Sequence, residues 1–149
     1  MNTKFADNRK IHFNYEILER ITAGIELLGF EVKAIKAGQM TLDGSYVVVR
    51  GGEAFLIGAG VTPLQPKNIK EDYDPRRNRR LLLTKKEISE LANTEQKKGL
   101  TIAPLAVYNM GRKLKVELGI ARGKKNVDKR ESIKKRETDR EIRRTLTNS

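Results

Sequence analysis

The stretch that decides the fold is residues 13–27, "FNYEILERITAGIEL". Its odd positions Phe13, Tyr15, Ile17, Ile21, Ala23, Ile25 and Leu27 are apolar, with Glu19 the one break. Among the even positions only Leu18 is apolar. Alternation of this kind puts one set of side chains on one face of an extended chain, so a long strand with a buried face is expected, bent near Gly24. Outward from it, "LLGFEVKAIKAG" carries Leu28, Val32 and Ile35 at helical spacing, and Gly38 is placed to stop the helix. "SYVVVR", "GG" and "EAFLIG" then read as a hairpin, two β-rich runs joined by a Gly-Gly turn.

Residues 61–80 hold three of the four prolines and no clean period, which predicts a loop across the surface. A helix follows, with Thr84 as N-cap, Glu87 completing a capping box, and Leu83 and Ile88 as a hydrophobic staple. Its inner face is Ile88, Leu91 and Ala92. Two more strands, "LTIAPLAVY" and "KLKVELGIA", flank the turn "NMG"; Leu114, Val116, Leu118 and Ile120 alternate strictly. Five or six strands with two or three short helices predict a mainly β domain over 1–122. An antiparallel barrel of the oligonucleotide-binding (OB) type is the leading architecture, and a two-sheet sandwich the other.

The chain has 149 residues, with 31 Lys and Arg against 19 Asp and Glu, a formal charge of +12. Such an excess implies a polyanionic partner, with nucleic acid the first candidate. No apolar run approaches the ~20 residues of a membrane span, and the N-terminal residues have no apolar core of the signal-peptide type. There is no cysteine, hence no disulfide framework or thiolate metal site. A cytoplasmic monomer is expected, with no cofactor.

The last segment, 123–149, is a basic tail; its part 123–144 has ten basic and five acidic residues. Ile142 lies about 180° from Ile133 on a helical wheel, so no apolar stripe forms and nothing offsets the entropy of ordering. Disorder in the free protein is expected. Lys129, Arg136, Arg140 and Arg143 nevertheless share one helical line, with Glu131/Lys135 and Asp139/Arg143 as supporting pairs. A helix that orders against a phosphate backbone is the predicted behaviour, set against a merely solvated tail.

Catalytic material is thin. His12 is the one histidine and has no obvious carboxylate beside it, which favours a structural or RNA-contacting role. Asp72 and Asp74 are read as an Asp-Pro turn in preference to a metal pair. "GAG" at 58–60 lacks the further glycine of a phosphate-binding loop. Basic clusters are better defined: Arg76, Arg77, Arg79 and Arg80 in "PRRNRR", Lys33 and Lys36 beside Glu31, and Lys113, Lys115, Arg122, Lys124 and Lys125 along the last hairpin. Aromatics are few, so shape and backbone recognition of structured RNA fits better than base stacking on single strands.

"NRKIHFNYEI", "AGIELLGFEVKAIKAG", "SYVVVRGGEAFLIGAGVTP", "DPRRNRRLLLTKKEI", "KGLTIAPLAVY" and "VELGIARGKKNVDKRESIKKRE", in this order, resemble the SsrA-binding protein family (small protein B). Proteins of that family are bacterial partners of transfer-messenger RNA. The resemblance implies an OB-type barrel bound to the elbow of the tRNA-like part of that RNA. It implies delivery of the alanine-charged RNA, carried by elongation factor Tu, to ribosomes stalled without a stop codon. It adds Asn8, Arg9, Lys10, His12 and Glu31 to the RNA-contacting set. It also implies that Val127, Asp128, Lys129, Arg130, Ile133, Lys134, Lys135, Arg136, Arg140 and Arg143 enter the small-subunit decoding site and the empty mRNA channel as a helix. Two positions depart from the family pattern: Thr22 stands where an acidic residue is usual, and Val127 where a histidine or tyrosine often stands. The rival functions are a structural ribosomal protein of OB type, fixed in every ribosome, and a small-barrel nuclease, whose clustered acids or histidine pair are absent.

Overall fold

The computed structural model describes residues 3–65 and 72–124. Strict alternation in 113–123 becomes β9 (Lys113–Gly123), with Leu114, Val116, Leu118 and Ile120 all buried. β8 (Leu100–Met110) pairs with it from Leu100↔Arg122 to Met110↔Lys113, around a turn where Gly111 has φ +63°. On its other side β9 pairs with β2 (Tyr15–Ile25), from Tyr15↔Gly123 to Gly24↔Lys115. The decisive stretch is therefore a strand, except that Phe13 and Asn14 close α1 (Arg9–Asn14) before it.

The register of β2 shifts between Ile17 and Glu19, and that of β8 between Pro104 and Ala106. An inserted residue swaps the faces of the strand beyond it. Thus Tyr15 and Ile17 pack with Ile11, Ala103, Leu105 and Ala121, whereas Ile21, Ala23 and Ile25 belong to the main core. Gly119 makes room for the first group: a Cβ there would stand 2.8 Å from Leu105 Cδ2.

The Gly51–Gly52 hairpin forms as expected between β4 (Tyr46–Arg50) and β5 (Glu53–Ile57), with Arg50↔Glu53 closing it. Both glycines have positive φ, +60° and +77°, which the tight hairpin turn demands. α2 (Gly29–Lys36) is entered by Leu28, whose N–H donates to the Glu31 carboxylate at 2.8 Å, and Gly38 at φ +82° ends it. α3 (Lys85–Glu95) has the full capping box: Glu87 N–H donates to Thr84 Oγ1 at 3.2 Å, and Thr84 N–H to Glu87 Oε1 at 3.0 Å.

Two elements differ from expectation. Arg79–Leu82, read as loop and helix lead-in, is a central strand β7 between β2 and β5. At the N-terminus Lys4–Asp7 is β1, paired with β8. The short strands β3 (Met40–Thr41) and β6 (Gly60–Val61) form a separate pair. The large sheet is antiparallel in the order β1-β8-β9-β2-β7-β5-β4. It is not closed by hydrogen bonds: β1 and β4 are its two edges, although β4 returns against β8, so the sheet curls around its core. The mainly β, antiparallel architecture with short helices expected from the sequence is present, its barrel-like sheet curled but left open between β1 and β4. Edge β4 is blunted where Glu95 of α3 accepts from Val49 N–H and, at 3.1 Å, from Arg50.

Inside lie Ile35, Leu42, Leu56, Leu81, Leu91, Ile102, Val107, Val116 and Leu118. Each such side chain contributes roughly 1.5–3 kcal/mol by burial.

Candidate nucleic-acid interface

β7 alternates: Arg79 and Leu81 point into the core, Arg80 and Leu82 outward. This single fact divides the "PRRNRR" cluster. Arg79 is fully buried, and its guanidinium donates to Glu31 Oε2 at 2.6 and 3.1 Å and to the carbonyls of Ala59 (2.9 Å), Pro75 (3.0 Å) and Arg77 (3.2 Å). Glu31 is equally buried. It accepts also from Arg77 at 2.5 and 3.1 Å, and from the Tyr73 hydroxyl at 2.7 Å. Burial alone would raise the Glu31 carboxyl. The donors Arg77, Leu28 N–H, Tyr73 and Arg79 outweigh it and bring the group down to about 2. Tyr73 also packs edge-on against Phe30, with ring centroids 4.8 Å apart. The node ties the chain at 73–79 to α2, and its polar atoms are used internally.

Glu31 and Arg79, both expected to contact RNA, are therefore interior residues. So is Asn8, which is 3% exposed: it caps α1 by accepting from Ile11 N–H and donates to Pro104 O at 2.9 Å. Arg77 keeps 29% of its side chain exposed while paired with Glu31. Arg76 is exposed and reaches Gly58 O at 3.0 Å. Its N–H donates to the Asp74 carboxylate at 2.9 Å, in keeping with the turn reading of "EDYDP". Arg9, Lys10, His12, Lys33 and Lys36 are exposed, as is Arg122, which meets Glu16 at 2.8 Å. Lys124 N–H bonds to Asn14 O at 3.0 Å. Lys125 and the tail positions from Val127 to Arg143 lie outside the described residues.

The outward side of β7 joins a second set. Facing residues in neighbouring strands share one face, and the ladder aligns Tyr108, Lys115, Gly24 and Leu82 in one row across β8, β9, β2 and β7. Arg80 stands beside this row, held between Glu26 at 3.6 Å and Glu53 at 3.4 Å. Thr22 Oγ1 lies 3.4 Å from the Tyr108 hydroxyl. A cleft of about 390 Å³ opens between Arg80, Leu82 and Lys115. Leu82 is 49% exposed, and a Cβ on Gly24 would press on Leu82 Cβ at 3.0 Å. Cations with an apolar side chain and hydroxyls on a rigid sheet suit a ribose-phosphate backbone.

Leu82 and Tyr108 were not singled out from the sequence. The available signal was "LLL" at 81–83: in an extended chain, three consecutive apolar residues cannot all face the core.

The model of the SmpB protein family matches residues 5–148. The chain belongs to this family. A SsrA-binding protein of Magnetococcus marinus is 50% identical over 141 residues, covering 95% of this chain and 93% of that protein. One of Gloeobacter violaceus is 49% identical over 140 residues, covering 94% and 91%. A solved structure described as "tmRNA-SmpB: a journey to the center of the bacterial ribosome" aligns with TM-score 0.68 and 41% identity, covering 85% of this chain and 92% of that one. The SmpB family match runs on through the basic tail, beyond the folded sheet.

Proposed function

We propose that this chain is an RNA-binding protein of trans-translation. It binds the tRNA-like part of transfer-messenger RNA and brings it to ribosomes stalled without a stop codon. The observation that carries this reading is the family match over 5–148, tail included. The body at 1–122 acts as a binding module and not as an enzyme, with Arg80, Lys115, Leu82 and Tyr108 on the RNA side and the Glu31 node holding the scaffold. The tail at 123–149 probes the decoding centre and the empty mRNA channel, while elongation factor Tu travels with the same RNA. The protein works as a monomer in the compartment of the ribosomes; among the described residues no helix is long and apolar enough to cross a membrane.

Affinity for the tRNA-like RNA is expected to fall steeply with salt, since each neutralised phosphate contributes roughly 0.7–0.9 to the slope of log K against log salt, and about 4–8 contacts are expected. A slope near zero would refute the reading. Deleting residues 127–149 is expected to leave RNA affinity nearly intact and abolish tagging of stalled chains; normal tagging would refute the role given to the tail. A high-salt wash is expected to strip the protein from ribosomes, unlike a permanent ribosomal component.

A further inference from the structure

Next to the Arg80–Lys115 cleft the same outer face carries a second depression, of about 370 Å³. The ladder aligns Asp7, Ala106, Glu117 and Thr22 in the row beside Lys4, Tyr108 and Lys115. The small side chain of Ala106 and the buried Leu105 form its floor. Arg20, Glu117, Tyr108 and His12 line it as well, together with the Lys4–Asp7 pair (3.7 Å). Arg20 and Glu117 are in direct contact, yet their side chains remain 57% and 28% exposed. A fork of donors and a pair of acceptor oxygens are thus held side by side above an apolar floor, with an aromatic ring at the edge.

We infer that this cleft takes one unstacked guanine of the bound RNA. This rests on the RNA-binding reading and goes beyond it by naming a base. Guanine alone among the four bases combines two adjacent acceptors, O6 and N7, with two adjacent donors, N1–H and the N2 amino group. A guanidinium matches the first pair and a carboxylate the second. Unpaired bases in RNA are commonly read on these edges while stacking on an aromatic or histidine side chain, the part open to Tyr108 and His12. Adenine offers an amino group beside N7 and has no second donor for Glu117. Cytosine has a single amino group and uracil a single N–H, so neither presents two adjacent donors to Glu117.

The test uses the full-length protein and three fluorescent pentaribonucleotides, UUGUU, UUIUU (I, inosine) and UUAUU, with the tRNA-like RNA measured alongside. Guanine is expected to bind about tenfold tighter than adenine, the scale of one bidentate base contact. Inosine, which lacks the N2 amino group, is expected in between. Glu117→Gln, close in shape, is expected to bring the guanine pentamer down to the adenine level, and Arg20→Lys to narrow the preference. Thermal melting of both variants confirms that they fold. Equal binding of the three pentamers by the wild type, or an undiminished guanine preference in whichever variant folds, overturns the inference. Failure of the wild type to bind the tRNA-like RNA would instead overturn the underlying reading.

Discussion

Arg79 and Arg80 are neighbours in one four-residue strand, yet one side chain is 0% exposed and the other 49%. The first is enclosed with Glu31 among fixed acceptors. The second stands on an open face, held loosely between two carboxylates more than 3 Å away. The difference comes from strand alternation alone, since the two residues are chemically identical. It shows that a basic run counts as an interface only after its strand has assigned the faces. The interior arginine maintains the scaffold, and the outer one is available to a ligand.

The sharpest way to break this comparison is to remove the interior acid. Glu31→Ala leaves Arg79 buried without its counter-charge, and uncompensated buried charges of this kind cost about 3–5 kcal/mol. Urea unfolding is expected to show a loss of that size, with RNA binding lost only in step with folding. A loss below ~1 kcal/mol, the scale of a surface pair, would remove the distinction between the two arginines.

Acid provides the second test. The Glu31 carboxyl titrates at about 2 when folded, against 4.5 as its ordinary value. A depressed value means that the stabilisation is complete above 4.5 and is lost as pH falls from there toward 2, on the order of 3 kcal/mol in all. Stability measured against pH is expected to drop across that window in the wild type and to run flatter in Glu31→Gln. Parallel curves would show that Glu31 is not the group responsible.

Two glycines repeat the comparison at smaller scale. A methyl at Gly119 would stand 2.8 Å from Cδ2 and 3.0 Å from Cδ1 and Cγ of the buried Leu105, so that whole side chain must shift against Ile11, Ala103 and Ala121, and Gly119→Ala is expected to cost about 1–3 kcal/mol. A methyl at Gly24 meets Leu82 Cβ at 3.0 Å, an atom that no side-chain rotation moves, so β7 must yield by a few tenths of an ångström; with that single contact below 3.4 Å, Gly24→Ala is expected to cost less than Gly119→Ala, about 1 kcal/mol. Thermal melting of the pair checks the order; a reversed order would mean that the outer face is the more rigid one.

The same contrast sets what the sequence made legible. Alternation in 114–120, the Gly51–Gly52 turn and the Thr84/Glu87 capping box are local signals, and each produced the element it announced. β7 was hidden because its core positions are an arginine and a leucine inside "RRLLL", where no period of two can be seen. Burial of Arg79 depends on Glu31, 48 positions earlier in the chain, a pairing that spacing does not reveal. The same long-range pairing removed Glu31 from the expected RNA contacts. Asn8 was misplaced for a related reason, since its partner Pro104 lies 96 positions away. The shifts at Ile17/Glu19 and Pro104/Ala106 left only faint traces, a single break in the alternation at Glu19 and a proline inside an apolar run. Arg9, Lys10, Lys33 and Lys36 are exposed, as basic residues ordinarily are, whereas Arg80 is distinguished from Arg79 only by the alternation of β7.

The most direct measurement of the central claim, that the outer face binds RNA while the node only supports it, is the salt dependence of affinity for the tRNA-like RNA. It compares the wild type with the double variant Arg80→Gln, Lys115→Gln. The account predicts an unchanged melting temperature, weaker binding, and a slope of log K against log salt shallower by about 1.5, two phosphate contacts at 0.7–0.9 each. Two coincident lines would contradict it.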